Sequence, residues 1–189
     1  MKDIALHILD IAQNSISAGS NKIFIEISEN PEEDKLILTI IDNGRGMDKE
    51  KVLKVTDPWF TTRTTRKVGM GIPLLKHNAE QAGGAFFISS APGEGTRLTA
   101  IFGLSHIDRP PFGDIPGVVS LLAGANPSLD FIYRYSEGER EYIFDTREIK
   151  EVLEDVPLSE PAVIRYMKEM LEENLKIFSE NPIIPRQTK

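Results

Sequence analysis

Hydrophobic side chains in the first part of the chain follow two different periods. Over residues 3–18 they recur at helical spacing, which predicts an amphipathic helix that ends at Gly19. Residues 22–29 alternate isoleucine with polar or aromatic side chains, and residues 35–41 are rich in β-branched side chains, so both segments are predicted strands. The turn sequence NPEED between them predicts a hairpin.

Two further helices and two further strands follow. They are predicted over residues 48–55, 72–82, 85–90 and 97–102. Residues 56–68 show no period and carry several threonines and three cations, which indicates a mobile loop. The order helix, two strands, helix, loop, helix, two strands is typical of an α+β two-layer sandwich with helices on one face of a sheet.

The pattern breaks near Ser105, where the sequence RPPFG reads as a linker. We therefore expect a domain boundary between residues 1–104 and residues 105–189. The second part is predicted to form a small α+β extension with a short helix, a β-hairpin and two longer helices. These helices cover residues 118–123, 146–154 and 160–178, and the aromatic residues of the hairpin are Phe131, Tyr133, Tyr135, Tyr142 and Phe144.

Two interpretations of this extension stay open. It can be a packing element that covers an edge of the sandwich. It can also be a docking module, because an acidic surface, exposed aromatic side chains on a hairpin and a long helix suit a protein partner or a homodimer. No motif in residues 105–189 decides between them.

Composition and charge exclude several classes of function. The chain has 189 residues and a formal net charge of −7, and most of the excess negative charge lies after residue 104. Binding to a nucleic-acid backbone needs a basic surface, so no nucleic-acid partner is expected. There is no cysteine, no apolar run of membrane-spanning length and no apolar core of a signal peptide near Met1, so we expect a cytoplasmic protein without a membrane partner.

Glycines punctuate the chain at three separated places. The sequence DNGRG at residues 42–46 follows a predicted strand directly, GMG at residues 69–71 stands at the entrance of a helix, and GEGT at residues 93–96 joins two strands. Any one of them could be a tight turn and no more. Together they allow the backbone to approach a ligand closely at three points.

Residues 5–103 resemble the GHKL superfamily of Bergerat-fold ATPases, which includes gyrase, chaperone ATPases, sensor histidine kinases, anti-sigma kinases and MutL repair ATPases. The resemblance depends on five motifs in the family's order. They are a MutL-like N box at residues 10–15, a G1 box at 42–47, a histidine-kinase-like F box at 57–63, a G2 box at 69–75 and a glycine-threonine element at 93–96.

The resemblance implies a site for ATP and Mg²⁺. Asp42 is expected to accept a hydrogen bond from the adenine amino group, and Gly44 and Gly46 to leave space for the purine ring. Asn14 is expected to offer an oxygen ligand to Mg²⁺. Thr96 is expected to bind either a phosphate or the purine. The remaining nucleotide contacts are expected at Met47, Thr62, Arg63, Arg66, Lys67, Gly69, Met70, Gly71 and Ile72.

The cations of the loop allow two interpretations. Arg63, Arg66 and Lys67 are either a solvated charge run or part of a lid that closes on the triphosphate. In the second case residues 69–71 would bring backbone N–H groups and a helix N-terminus to the same negative charge.

Catalysis is expected to depend on Asp10, one helical turn before Asn14. Many relatives carry at this place a glutamate that activates water or a substrate hydroxyl as a general base. Aspartate has the same chemistry and a shorter reach, so Asp10 can also be a structural carboxylate or an indirect magnesium contact. His7, on the same helix, is expected to be a structural histidine.

The expected function is Mg-dependent ATP binding with hydrolysis or phosphotransfer to a partner protein in signal transduction, as in a histidine-kinase catalytic domain without its phosphoacceptor or in an anti-sigma-type kinase. The alternative is a regulatory module that senses ATP without hydrolysing it. A mismatch-repair-like clamp is disfavoured by the acidic surface. A change of Asp42 to asparagine is expected to abolish binding and to leave the stability of the apo protein nearly unchanged.

Overall fold

A computed structural model of the chain describes residues 2–56 and 71–180. The elements lie close to the predicted positions. The described helices are α1 Ile4–Ser17, α2 Lys49–Val55, α3 Gly71–Gln81, α4 Ile115–Ala125, α5 Thr146–Leu153 and α6 Pro161–Glu180, and the strands are β1 Lys22–Asn30, β2 Lys35–Asp42, β3 Ala85–Ala91, β4 Gly95–Gly103, β5 Asp130–Glu137 and β6 Arg140–Asp145.

The strands form one open six-stranded sheet in the order β3-β4-β2-β1-β5-β6. All neighbours are antiparallel except β1 and β5, which are parallel. Ile23, Ile25 and Ile27 alternate in β1 and are fully buried against the helical layer. Phe87 and Ile143 lie on the opposite face of the sheet and are 60% and 49% exposed. The predicted α+β two-layer architecture is therefore confirmed.

The start of α1 is capped both by the residue that precedes it and by a segment that is distant in sequence. Asp3 accepts a hydrogen bond from the backbone N–H of Leu6 at 2.8 Å. The segment interpreted as a linker supplies the other acceptors, since the carbonyls of Pro111 and Phe112 accept from the first two N–H groups of α1 at 2.9 Å each. This linker thereby satisfies helix-terminal donors that would otherwise lack a partner.

The second part of the chain extends the sheet. Because β5 pairs in parallel with β1, the hairpin continues the sheet beyond the edge of the first four strands. The aromatic side chains Phe131, Tyr133, Tyr135 and Phe144 are at most 5% exposed, so the expectation of exposed aromatics on this hairpin was wrong. The parallel register places Phe131, Tyr133 and Tyr135 beside the isoleucines of β1, and all four aromatic side chains belong to the same core. The boundary at residue 104 stays a prediction.

Helix α6 is the longest described helix, with 20 residues. It buries Val163, Met167 and Leu171, which are spaced four residues apart and lie on one face, and it packs against α4 and β6. Within residues 2–56 and 71–180, no helix combines the length and the apolar character that a membrane crossing requires.

Candidate functional site

The carboxylate of Asp42 stands at the end of β2, where it is 9% exposed. The hydroxyl of Ser15 donates to its Oδ2 at 2.6 Å. The backbone N–H of Gly44 donates to Oδ1 at 2.9 Å, and the hydroxyl of Ser20 approaches the same oxygen at 3.3 Å. These three donors hold the carboxylate in one orientation. The bond from Ser15 also brings α1 and the G1 turn together as expected, and Ser15 directly follows Asn14 on this helix.

Asn14 is half-buried on α1, one residue before the serine that holds Asp42. Among the described residues, nothing hydrogen-bonds its side-chain amide, whose oxygen is therefore available to a ligand. No cluster of three histidine or acidic side chains that could hold a metal ion occurs in that part of the chain. A single side-chain oxygen, that of Asn14, fits Mg²⁺, because this hard cation takes few protein ligands when it is bound through phosphates.

Asp10 and Gly71 are in close contact. A methyl group added to Gly71 would lie 1.7 Å from Oδ2 of Asp10, so only glycine fits at the first position of α3 while the carboxylate stays in place. Asp10 consequently lies at the amino end of α3, where the helix dipole favours negative charge. The structure thus joins the N box to the G2 box through the residue expected to be the general base.

The structure gives another reason for the glycines of the G1 turn than the expected space for a purine. A methyl group on Gly44 would lie 2.8 Å from Oγ of Ser20 and 2.9 Å from Cβ of Ala18. Gly46 has φ +66°, and its methyl group would lie 1.9 Å from the carbonyl oxygen of Ala91. Protein atoms therefore fill the space beside both residues, and the packing of the turn requires glycine at each.

Thr96 lies next to Asp42. The two residues are register partners across β4 and β2, and Ser90 of β3 is the register partner of Thr96 on the other side. The Ser90 hydroxyl is 3.0 Å from the Thr96 hydroxyl, accepts from the backbone N–H of Met47 at 2.9 Å and donates to the carbonyl of Gly95 at 2.6 Å. Since Thr96 adjoins the residue expected to bind adenine, its placement favours the purine over the phosphates.

The G1 turn is also fixed from its outer side. The side-chain oxygen of Asn43 accepts from the backbone N–H groups of Asn21 and Lys22 at 3.0 Å each. Its amide nitrogen donates to the side-chain oxygen of Asn21 at 2.6 Å. These bonds hold the turn against the α1–β1 connection.

Sequence reasoning missed the polar residues that orient this site. Ser15 is inside the N box, and its position after Asn14 is the signal that could have revealed it. Ser20, Asn21 and Ser90 lie outside every motif, so no local pattern indicates them.

The predicted lid falls outside the described residues. This applies to Thr62, Arg63, Arg66, Lys67, Gly69 and Met70. Ile72 is described, and its half-buried side chain packs against the core from the first turn of α3.

His7 is a buried residue of α1. Its Nε2 lies 2.9 Å from the amide nitrogen of Asn78 in α3, and a neutral ring accepts this hydrogen bond. Burial lowers the pKa of His7 to about 4, the charge of the amino terminus acts in the same direction, and Asp3 opposes both. A buried and neutral ring suits the expected structural role.

His7 is expected to make stability depend on pH. Its pKa of about 4 in the folded state lies below the ordinary value of 6.5, so between these two values the unfolded chain binds more protons. The free energy of unfolding should therefore decrease as the pH falls from 6.5 to 4, by up to about 1.4 kcal/mol per pH unit. Urea unfolding at several pH values would measure this decrease.

Two glutamine variants isolate the contribution of His7. His7→Gln should flatten the decrease, whereas His77→Gln, at an exposed position of α3, should retain it. Equal pH slopes in the wild type and both variants would contradict the assignment.

The motifs of the site belong to a known family model. The model described as "Histidine kinase-, DNA gyrase B-, and HSP90-like ATPase" matches residues 2–106. This match covers more than half of the chain and includes every motif of the proposed nucleotide site.

Curated relatives are similar over the same region. The chain is 30% identical over 94 residues to the sensor histidine kinase ZraS of Salmonella typhimurium, a match that covers 49% of this chain and 20% of that protein. It is 30% identical over 82 residues to the sensor histidine kinase YxdK of Bacillus subtilis, covering 41% of this chain and 25% of that protein. The chain thus corresponds to a quarter or less of the length of these relatives.

A solved structure shares the fold. The crystal structure of the N-terminal domain of a DNA repair protein aligns with a TM-score of 0.54 and 14% identity, covering 76% of this chain and 52% of that chain. At this identity the likeness concerns the fold alone.

Proposed function

Because the chain belongs to the family of histidine kinase-, DNA gyrase B- and HSP90-like ATPases, we propose that its ATP-binding domain works with Mg²⁺ and cleaves the terminal phosphate of ATP. One observation carries the proposal. The hydrogen bond of 2.6 Å from Ser15 to Asp42 places the helix that bears Asn14 beside the buried carboxylate expected to bind adenine. The residues proposed to bind the adenine and the Mg²⁺ then lie close together at the end of β2.

Asp42 binds the base in this proposal. Its carboxylate is almost fully buried and accepts from three donors of the protein, so its orientation is set before ligand arrives. A charged acceptor in such a place contributes about 1.5–3 kcal/mol for each hydrogen bond.

Asn14 and Asp10 serve the phosphates. Bound Mg²⁺ would neutralise phosphate charge, with the side-chain oxygen of Asn14 among its ligands. Asp10, one turn earlier on α1, takes the proton from an attacking water or hydroxyl group. A positioned general base contributes about 10²- to 10⁴-fold in rate. The cations of the predicted lid would stabilise the charge that develops on the phosphate.

The acceptor of the phosphoryl group is proposed to be a protein. The two relatives are named as sensor histidine kinases, and they favour phosphotransfer in signal transduction over plain hydrolysis. The acidic net charge of −7 supports a partner other than nucleic acid. We propose a cytoplasmic location. We also propose that residues 105–189, which carry most of the excess negative charge, contact the partner or a second copy.

Calorimetry and phosphate release test the proposal together. Titration of Mg-ATP should release heat with the wild type, with Asp10→Asn and with Glu80→Gln, a control at an exposed position of α3. Phosphate release should occur in the wild type and in Glu80→Gln and should fall at least about 100-fold in Asp10→Asn.

The outcomes separate the alternatives. Binding without measurable phosphate release in any of the three proteins would replace the enzyme by an ATP-sensing module. An absence of binding heat in the wild type would overturn the proposal as a whole. With γ-labelled ATP, label on a co-purified protein identifies phosphotransfer, and label on free phosphate alone identifies an ATPase.

A further inference from the structure

Ser90 occupies a position that no motif of the site includes. It lies on β3, two strands away from Asp42, with Thr96 of β4 between them in register. Its hydroxyl oxygen contacts three groups, namely the backbone N–H of Met47 at 2.9 Å, the carbonyl of Gly95 at 2.6 Å and the hydroxyl of Thr96 at 3.0 Å.

The direction of each of these hydrogen bonds follows from the number of protons. A carbonyl can only accept, so the single proton of Ser90 is given to Gly95. A backbone N–H can only donate, so Ser90 accepts from Met47. Ser90 then has no proton left for Thr96, and in the remaining contact the Thr96 hydroxyl must be the donor.

The proton of Thr96 is thereby directed away from Asp42 and towards β3. What Thr96 can offer to a ligand is a lone pair. The carboxylate of Asp42 beside it has no proton to donate, and of its two oxygens Oδ2 accepts from Ser15 alone, so it still offers a lone pair. The two neighbouring side chains therefore present acceptors alone.

From this arrangement we propose that Ser90 is a positioning residue that determines base specificity, because it keeps Thr96 an acceptor and so selects purines with a donor at position 6. The inference rests on the proposed binding of ATP at Asp42. A 6-amino purine has two N–H donors for the two acceptors. A 6-oxo purine such as inosine or guanine would place its carbonyl oxygen against them, and an unmatched buried acceptor is costly.

Removal of the Ser90 hydroxyl releases the constraint. In Ser90→Ala the Thr96 hydroxyl can rotate and donate its proton to a 6-oxo group. The affinity for ITP should rise in absolute terms, and the ratio of ATP to ITP affinity should fall about tenfold. The affinity for ATP itself should change little, since Asp42 is unaltered.

The experiment measures ATP and ITP dissociation constants by calorimetry with Mg²⁺ present. Ser90→Thr keeps the hydroxyl and should retain the wild-type ratio of ATP to ITP affinity. Ser89→Ala, at the exposed neighbouring position of the same strand, should not change it. Ser90→Cys keeps the shape with weaker hydrogen bonds, should give an intermediate ratio and serves if Ser90→Ala does not fold.

A further variant separates specificity from packing. Thr96→Val removes the hydroxyl that Ser90 directs, so it should weaken ATP binding without strengthening ITP binding. Suppose that the wild type binds ATP, and that Ser90→Ala or Ser90→Cys has the wild-type ratio of ATP to ITP affinity. The role of Ser90 is then refuted while ATP binding stands. If the wild type binds neither nucleotide, the proposed function fails first.

Discussion

Asp42→Asn is expected to lower the affinity for ATP roughly 10- to 150-fold rather than to abolish binding, which corresponds to the loss of about 1.5–3 kcal/mol from a charged hydrogen bond. The structure adds a second effect. The NH₂ group of asparagine cannot face the backbone N–H of Gly44, which can only donate, so it would take the place of Oδ2. There the Ser15 hydroxyl would have to accept from it and turn its own proton to the carbonyl of Ile11, 3.3 Å away. Calorimetric titration with Mg-ATP measures the affinity.

The same loss of charge changes the expected stability. The sequence alone suggested that the apo protein would be unaffected, but the variant replaces charge-assisted hydrogen bonds with neutral ones and reverses the bond to Ser15, at a cost of about 1 kcal/mol. Urea unfolding should therefore show a less stable variant. Asp48→Asn is the control, because Asp48 caps the exposed helix α2 and should leave nucleotide affinity unchanged. Wild-type affinity in Asp42→Asn would remove the assignment of the adenine contact.

Gly71→Ala is expected to reduce phosphate release about 100-fold, the usual effect of a displacement of about 1 Å in a reacting group. The added methyl group would lie 1.7 Å from Oδ2 of Asp10, and the side chain that must move is the expected general base. The backbone of α3 can stay in place, because the colliding atom is the end of a flexible side chain. ATP affinity, which depends on Asp42, should change much less, so calorimetry and phosphate release should diverge.

Gly117→Ala provides a matched control. Gly117 lies in the first turn of α4, and its methyl group would lie 2.2 Å from Oδ2 of Asp114. The substitution displaces a carboxylate in the same manner at a helix without an assigned role in the site, and phosphate release should be unchanged. Full activity of Gly71→Ala, together with an inactive Asp10→Asn, would show that the contact between Asp10 and α3 has no part in the reaction.

The architecture of the first part of the chain was accessible from the sequence because its determinants are local. The helical period over residues 3–18 and the alternation in β1 and β2 predicted elements that the structure shows at nearly the same bounds. The candidate nucleotide site was accessible for a related reason. Asp42 and Thr96 lie in short motifs whose glycines permit tight backbone turns, and Asn14 lies in a short motif on α1.

Other features depend on which segments become neighbours, and hydrophobic periods do not encode that choice. The aromatic residues of β5 looked exposed in an isolated hairpin, and they are buried because β5 pairs in parallel with β1. The proline-containing segment looked like a linker, and its carbonyls cap α1. A hydrophobic period shows which face of a helix or strand is buried. Which other segments pack against that face follows from the packing of the whole core.

The sequence by itself determined the elements and the α+β class, and it singled out the residues expected to form a nucleotide site. Only the tertiary structure decided how these residues are oriented, since Ser90 and Ser20 reach Thr96 and Asp42 from segments without any motif. It also decided that Asp10 lies against Gly71 at the start of α3. The reason is that hydrogen-bond direction and close contact depend on distances of a few tenths of an ångström between residues far apart in the chain, which no local pattern specifies.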